Sequence, residues 1–372
     1  MRWRAWLSGL LLLQWPLLSL LPTLAAAQAQ VPENYPGSYA ATIAAARQEG
    51  KVVIYSPSDV AEATYLIADF KSMYPGIEVE YHDLNSTEIY DRFLKEIQNR
   101  SATADVLWSS AMDLQVKLVN DGHALRYASP ERAHLPDWSV WKNEAWGTTL
   151  EPAGFAYNKH ALPAAEVPRT HADFIRLLKT DPARFNGRVV TYDPSASSLG
   201  FLFATQDEKA SGMLWEVAQA LGANRARQAP STAAMLESVS SGESLLAYNV
   251  LGSYAASKMR TDPAIGLVYP QDYVLVGSRI AFIQRHAAHP NAARLWLDYI
   301  LSRRGQTVLA NRMGLFPLRG DVPGGGNAAV FRLDAGGKVR PIAIGVGLMA
   351  YLDRTKRQDF LRRWNDALAR SP

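Results

Sequence analysis

The 372-residue sequence contains no cysteine. Disulfides and thiolate metal sites are therefore excluded, as is a lipid anchor attached through a processed cysteine. Histidine is sparse: there are seven, and His160, His171, His286 and His289 are scattered along the chain. Neither a G-x-S-x-G elbow nor an H-E-x-x-H helix occurs, which argues against a secreted hydrolase and gives no reason to expect an enzyme. An excess of one charge is also missing. The formal net charge is +4, and Arg2 and Arg4 supply two of those charges. That is too slight to suggest nucleic acid as a partner. The basic run Arg354, Lys356, Arg357, Arg362 and Arg363 is interleaved with Asp353 and Asp359, so it reads as a solvated helix face. The apolar run Leu7–Leu24 is interrupted by Pro16 and Pro22, whereas a spanning helix needs about 20 continuous apolar residues.

What the N-terminus does contain is a short basic start, that leucine-rich run, and Ala25-Ala26-Ala27. This is the pattern of a secretory signal peptide, expected to be cleaved near Ala27-Gln28. The mature protein is then expected to be soluble, beyond the inner membrane. It would have roughly 345 residues, which suits two domains.

Strand and helix patterns alternate along the chain. Helical spacing is expected over Tyr39–Glu49, Ala61–Met73 and Thr87–Asn99, between strands at Val52–Tyr55, Ile77–His82 and Asp105–Trp108. Leu150–Asn158 is extended, Thr170–Thr180 is a helix, and Val189–Tyr192 is a strand. Strands are also expected at Ser244–Asn249, Ile265–Tyr269 and Val274–Gln284. Helices follow at Pro290–Arg303 and Gly305–Met313, then a Gly-rich loop over Val322–Ala335 and a last helix near Leu348–Leu368. Such alternation implies mostly parallel α/β sheets flanked by helices, with ligands at the C-terminal strand ends. Ser56–Asp59 and Ser109–Asp113 fall at such ends. So does the run after Val189–Tyr192, where Asp193-Pro194 is followed by Ser195, Ser197, Ser198, Leu199 and Gly200. A helix start with surplus hydroxyls suits a bound anion, although one serine would suffice as an ordinary cap.

Four stretches together resemble the periplasmic substrate-binding proteins of ABC importers, type 2 fold, in the ferric-iron-binding and sugar-phosphate-binding group. They are V-V-I-Y-S with its following helix ending M-Y-P-G-I-E-V, then A-D-V-L-W-S-S-A-M-D, then V-V-T-Y-D-P-S-A-S-S-L-G. The fourth is R-H-A-A-H-P-N-A-A-R-L-W-L-D-Y-I-L-S-R-R-G-Q. The resemblance implies two lobes joined by two crossover strands around a cleft. By that analogy lobe one is Glu33–Thr148 plus Ala281–Pro372, and lobe two is Thr149–Ile280. It also implies a periplasmic location, a monomer, and as partners either an inner-membrane permease with its ATPase or a sensor kinase.

Iron-binding members of this group use two adjacent tyrosines, which fall here near Gly252 and Ser253, and a histidine replaced here by Ser56-Pro57-Ser58. Tyr254 is close but single. Ferric iron prefers anionic oxygen ligands, so no metal and no cofactor is expected, iron binding being the alternative. His82, Asp83 and Glu88 read more simply as solvated loop residues. The expected lining is Ser56, Ser58, Ser109, Ser110, Ser197, Ser198, Leu199, Gly200, Tyr248, Asn249 and Tyr254, with Arg279 a candidate clamp. The expected ligand is a small anionic organic solute, phosphorylated or a carboxylate, whose hydroxyls Asp59 and Asp113 are placed to accept.

Overall fold

The computed structural model describes residues 31–322 and 338–369. The expected signal peptide and nearly all of the expected Gly-rich loop lie outside them. The elements run in order: α1 (Tyr39–Glu49), β1 (Lys51–Ser56), α2 (Val60–Met73), β2 (Glu78–Asp83), α3 (Ser86–Gln98), β3 (Val106–Ser109), α4 (Met112–Asn120), β4 (Val140–Trp141), β5 (Ala145–Gly147) and β6 (Thr149–Asn158). They continue with α5 (His171–Thr180), α6 (Pro182–Phe185), β7 (Val189–Tyr192), α7 (Ser198–Ala210), α8 (Leu214–Ala223), β8 (Arg227–Ala229), α9 (Thr232–Ser240), β9 (Leu246–Leu251) and α10 (Gly252–Lys258). The last are β10 (Ile265–Val268), β11 (Val274–Gly277), β12 (Ile280–Ile283), α11 (Pro290–Leu301), α12 (Arg303–Arg312), β13 (Phe316–Pro317), β14 (Val339–Pro341) and α13 (Arg354–Ala369). No described helix is long and apolar enough to cross a membrane.

Two sheets organise these elements. The first has the order β2-β1-β3-β12-β5-β4, and the second β14-β11-β6-β9-β7-β8, with β10 and β13 also pairing to β6. Strands β1, β2 and β3 are mutually parallel, β12 runs antiparallel to β3, and β5 runs antiparallel to β12. The chain changes sheets twice through strands, at Thr148 between β5 and β6 and at Ser278-Arg279 between β11 and β12. Local chemistry fixes these crossovers. Ser278 Oγ accepts from the Thr148 and Thr149 amides at 3.1 and 3.3 Å, and the Arg279 amide donates to Thr149 Oγ1 at 2.9 Å. Trp108 Nε1 donates to Thr148 Oγ1 at 2.8 Å, so the junction is anchored to the first sheet. Gly147 has to be glycine here, because a Cβ would sit 2.8 Å from Ser278 Oγ.

Helix starts follow the sequence signals. Asp59 Oδ1 accepts from the Ala61 amide at 2.7 Å, capping α2. Asn85 and Glu88 close a reciprocal capping box on α3, so Glu88 serves the helix rather than a metal. His82 hydrogen-bonds Glu80 at 2.9 Å on the β2 strand.

The chain end differs from expectation. The sequence pattern predicts a single helix near Leu348–Leu368. Instead a 3-10 turn covers Val346–Tyr351, and α13 begins at Arg354. Asp353 causes the break: its Oδ1 accepts from the Lys356 amide at 2.9 Å, capping a new helix. Phe360, Trp364 and Ala367 of α13 are buried with Val217, Leu221 and Phe174 of the second lobe. Upstream, β14 runs parallel to β11 in the second sheet, and the Ile344 amide donates to Trp138 O in the first lobe. The C-terminal segment thus passes from lobe two to lobe one and back. Ile342, Ile344 and Leu348 join a buried cluster that holds Met112 and Val116 of lobe one and Leu202, Tyr273 and Leu275 of lobe two.

Lobe one is centred on Trp296, packed at 5.1 Å against Phe70 in an edge arrangement. In its wall lies Asp298, which accepts from Tyr39, Tyr127 and Ser129 at 2.7, 2.5 and 2.6 Å. Burial pushes its carboxyl up from 3.8 to about 7, against the three hydroxyl donors that pull it down. The folded state therefore binds one more proton than the unfolded chain between those values. Stability is expected to fall as pH rises across that window, by up to about 1.4 kcal/mol per pH unit. Chemical unfolding of wild type and Asp298→Asn between pH 4 and 7.5 checks this; the variant is expected to show a flatter profile.

Candidate functional site

The interlobe junction holds a buried ion pair. Glu151, near the start of β6, and Arg279, between β11 and β12, each stand alone as a charge in an otherwise apolar strand sequence, and each is 2% exposed. Arg279 Nε donates to Glu151 Oε1 at 3.0 Å. One terminal nitrogen of Arg279 donates to Ser58 Oγ, and the other to Tyr254 Oη at 3.1 Å. Glu151 Oε2 accepts from Ser253 Oγ at 3.0 Å. Burial works against the Arg279 charge, but Tyr254 and Glu151 outweigh it and hold the guanidinium above its ordinary pKa. A pair contributed by the two crossovers thus grips Ser58 from lobe one and Ser253 and Tyr254 from lobe two.

The hydroxyl geometry has a chemical consequence. Ser58 and Tyr254 use their oxygens to accept from Arg279. Neither donates its own proton to any described acceptor. Two polarised O–H donors, one per lobe, suit an anion better than a metal ion, which would need those oxygen lone pairs.

The other expected lining residues divide. Ser56 Oγ accepts from the Ser58 amide at 3.3 Å, shaping the turn that presents Ser58. Ser109 Oγ donates to Ser86 Oγ at 3.0 Å and accepts from the Ala111 amide at 3.2 Å, so it shapes the β3–α4 turn. Ser197 caps α7, accepting from the Gly200 amide at 3.1 Å. The Gly200 amide is thereby spent, leaving those of Ser198 and Leu199 as the first-turn donors without an intrahelical partner. Ser110 and Ser198 are partly exposed. Leu199 and Tyr254 pack on the same interlobe cluster.

Tyr248 and Asn249 are engaged elsewhere. Tyr248 Oη donates to Asp207 Oδ2 at 2.9 Å and Asn249 Nδ2 to the same oxygen at 2.5 Å, while Tyr273 Oη donates to Oδ1 at 2.9 Å. Asp207 is fully buried in α7, and desolvation raises its pKa. These residues satisfy a carboxyl inside lobe two rather than lining the junction. Asn249 adopts φ +60° beside a register shift in the β6–β9 pairing, a bulge that breaks strand alternation. Arg279 lies at the crossover junction, paired with Glu151, which in turn accepts from Ser253; the sequence reading named neither of these two. Their signal was the lone acid in L-E-P-A-G-F and the lone base in V-G-S-R-I-A-F, opposite charges in two strands expected to cross together.

Gly200 has a packing role that can be tested. A Cβ there would lie 2.4 Å from Tyr192 Cβ, so α7 seats on β7 only through glycine. Gly200→Ala is expected to cost about 1–3 kcal/mol in a thermal melt. Gly212→Ala, with nothing within 4 Å of its Cβ, is the control expected to stay near wild type.

Comparison with known proteins bears on this geometry. The model for bacterial extracellular solute-binding proteins matches residues 65–329. The chain belongs to that family. Its members bind solutes rather than catalyse reactions. A substrate-binding protein of an ABC transporter from Agrobacterium tumefaciens is 39% identical, with a TM-score of 0.77, covering 86% of this chain and 94% of that one. Iron-bound HitA from Pseudomonas aeruginosa is 18% identical with a TM-score of 0.68, covering 85% and 99%. AfuA from Actinobacillus pleuropneumoniae, with fructose-6-phosphate bound, is 18% identical with a TM-score of 0.66, covering 86% and 98%. The last two share the fold, the two-lobe type 2 periplasmic binding architecture. No curated protein sequence matches. This family member therefore carries, at its lobe junction, an internal ion pair and two hydroxyls that accept from Arg279.

Proposed function

We propose that this solute-binding protein captures a small anionic organic solute, a phosphorylated compound or a carboxylate, between its lobes. The observation that carries the reading is the pair Ser58 and Tyr254, held from opposite lobes by Arg279 with their protons uncommitted. The α7 start adds the Ser198 and Leu199 amides at the positive end of a helix. A buried guanidinium at the junction also opposes a trivalent cation by Coulomb repulsion. In this reading the lobes divide near Thr148 and Ile280, where the chain changes sheets, and the C-terminal helix belongs with lobe two. The mature chain, freed of its leader, delivers the solute across the periplasm to an inner-membrane ABC permease and its ATPase. The Agrobacterium relative, a substrate-binding protein of an ABC transporter, supports that role.

Thermal-shift screening against phosphates, phosphonates, carboxylates and ferric salts tests the reading. A ligand at about 100 times its Kd is expected to add roughly 2.7 kcal/mol of stability. A shift with ferric salts alone would overturn the anion assignment. With an anion in hand, Ser197→Ala/Ser198→Ala is expected to weaken binding; unchanged affinity would remove the α7 start from the site.

A further inference from the structure

The charges around the junction do not balance. Arg279 is matched by Glu151. Asp113, in the first turn of α4, is 7% exposed, and its Oδ1 is buried without a hydrogen-bond partner. The residue before it in sequence reaches the same junction. The adjacent Met112 accepts through Sδ from the Ser278 amide at 3.4 Å, beside Arg279. Met112 also belongs to the apolar cluster shared by both lobes. The α4 cap residue, Ala111, offers no side-chain cap. Nearby cations are committed elsewhere. Lys117, one turn along α4, pairs with Asp121. Arg357, whose charge favours ionised Asp113, lies with its guanidinium 4.1 Å from the Phe201 ring.

A first-turn acid complements the helix dipole, and that alone would account for an exposed Asp113. It does not account for a buried oxygen with no donor, which costs about 1–3 kcal/mol. Desolvation raises the Asp113 pKa, outweighing the backbone amides of Asp113 and Leu114 and the more distant Arg357 charge, which lower it. A carboxylate kept in this state beside the binding junction is most simply satisfied by what binds there.

Building on the anion reading, we propose that the ligand is a zwitterion: an oxyanion held by Ser58, Tyr254 and the α7 amides, and an ammonium group held by Asp113. An ammonium supplies the donor that Asp113 Oδ1 lacks together with a charge in direct contact, whereas a hydroxyl supplies only the donor. The solute class is then aminoalkyl phosphates, aminoalkyl phosphonates or amino carboxylates of short chain.

Titration calorimetry with matched probes tests this. O-phosphoethanolamine is compared with ethyl phosphate, and β-alanine with propionate. In the pair whose anion binds, the amine-bearing probe is expected to bind about ten- to a hundredfold more tightly, the worth of one charged hydrogen bond. In Asp113→Asn that preference is expected to disappear while the melting temperature stays at or above wild type. Equal binding of both probes by the wild type overturns the ammonium assignment and leaves the anion reading standing. The same conclusion follows if glycerol 3-phosphate matches O-phosphoethanolamine, or if Asp113→Asn keeps the preference. Failure of all five probes to bind overturns both.

Discussion

Replacing Arg279 by methionine is expected to lower the unfolding free energy by about 3–5 kcal/mol, the cost of leaving a buried carboxylate without its cation. Glu151 is 2% exposed and would keep only the Ser253 hydroxyl as a partner. The double variant Arg279→Met/Glu151→Leu is expected to recover most of the loss, because removing both charges also removes their desolvation penalty. Urea unfolding of the ligand-free single and double variants reads both effects. A single-variant loss below about 1 kcal/mol, the level of an exposed pair, would contradict a buried junction. Ligand binding is expected to fail in both variants, since Ser58 and Tyr254 lose the group that orients them. Stability and binding thereby separate in the double variant.

The second large effect concerns the two hydroxyls. Tyr254→Phe and Ser58→Ala each remove one donor to the bound anion, and each is expected to cost about 1.5–3 kcal/mol of binding, or roughly ten- to 150-fold in affinity. Tyr254→Phe keeps the ring that lies 5.8 Å from the Arg279 guanidinium carbon, so its packing persists. The two losses are not expected to add, because both hydroxyls are coupled through the same guanidinium. Calorimetry on the two single variants and the double gives the coupling directly. Unchanged affinity in Tyr254→Phe would take lobe two's hydroxyl out of the site.

Much of the fold was legible because it rests on local signals. The strand at Val52–Tyr55, the Asp59 helix start and the Pro290 helix all follow from short-range pattern. Elements whose residues carry little pattern were missed. Strand β14 is three residues, Val339–Pro341, beyond a Gly-rich stretch, and it exists only by pairing with β11. Helix α10 begins at Gly252, a residue required because a Cβ would meet Tyr269 Oη at 2.6 Å. The site was legible in its turns and not in its facings. Tyr248 and Asn249 were placed in the lining, yet every residue of β9 is buried. A strand covered on both faces gives no alternation from which to tell which face a side chain occupies. The Glu151–Arg279 pair spans 128 positions, and only the paired crossovers bring it together.

The route of the C-terminal segment also shapes how the lobes move. Two strand crossovers define a line about which two rigid bodies rotate. A further connection lying off that line, through Ile342, Ile344 and the turn at Val346–Tyr351, acts on a lever arm. Rotation that parts the lobes there must lift the segment from Trp138 and α4. Its length is fixed at one end by β14 and at the other by α13, both seated on lobe two. Parting the lobes there must therefore break the Ile344–Trp138 hydrogen bond and uncover the shared apolar cluster, so the segment acts as a latch held by its own contacts.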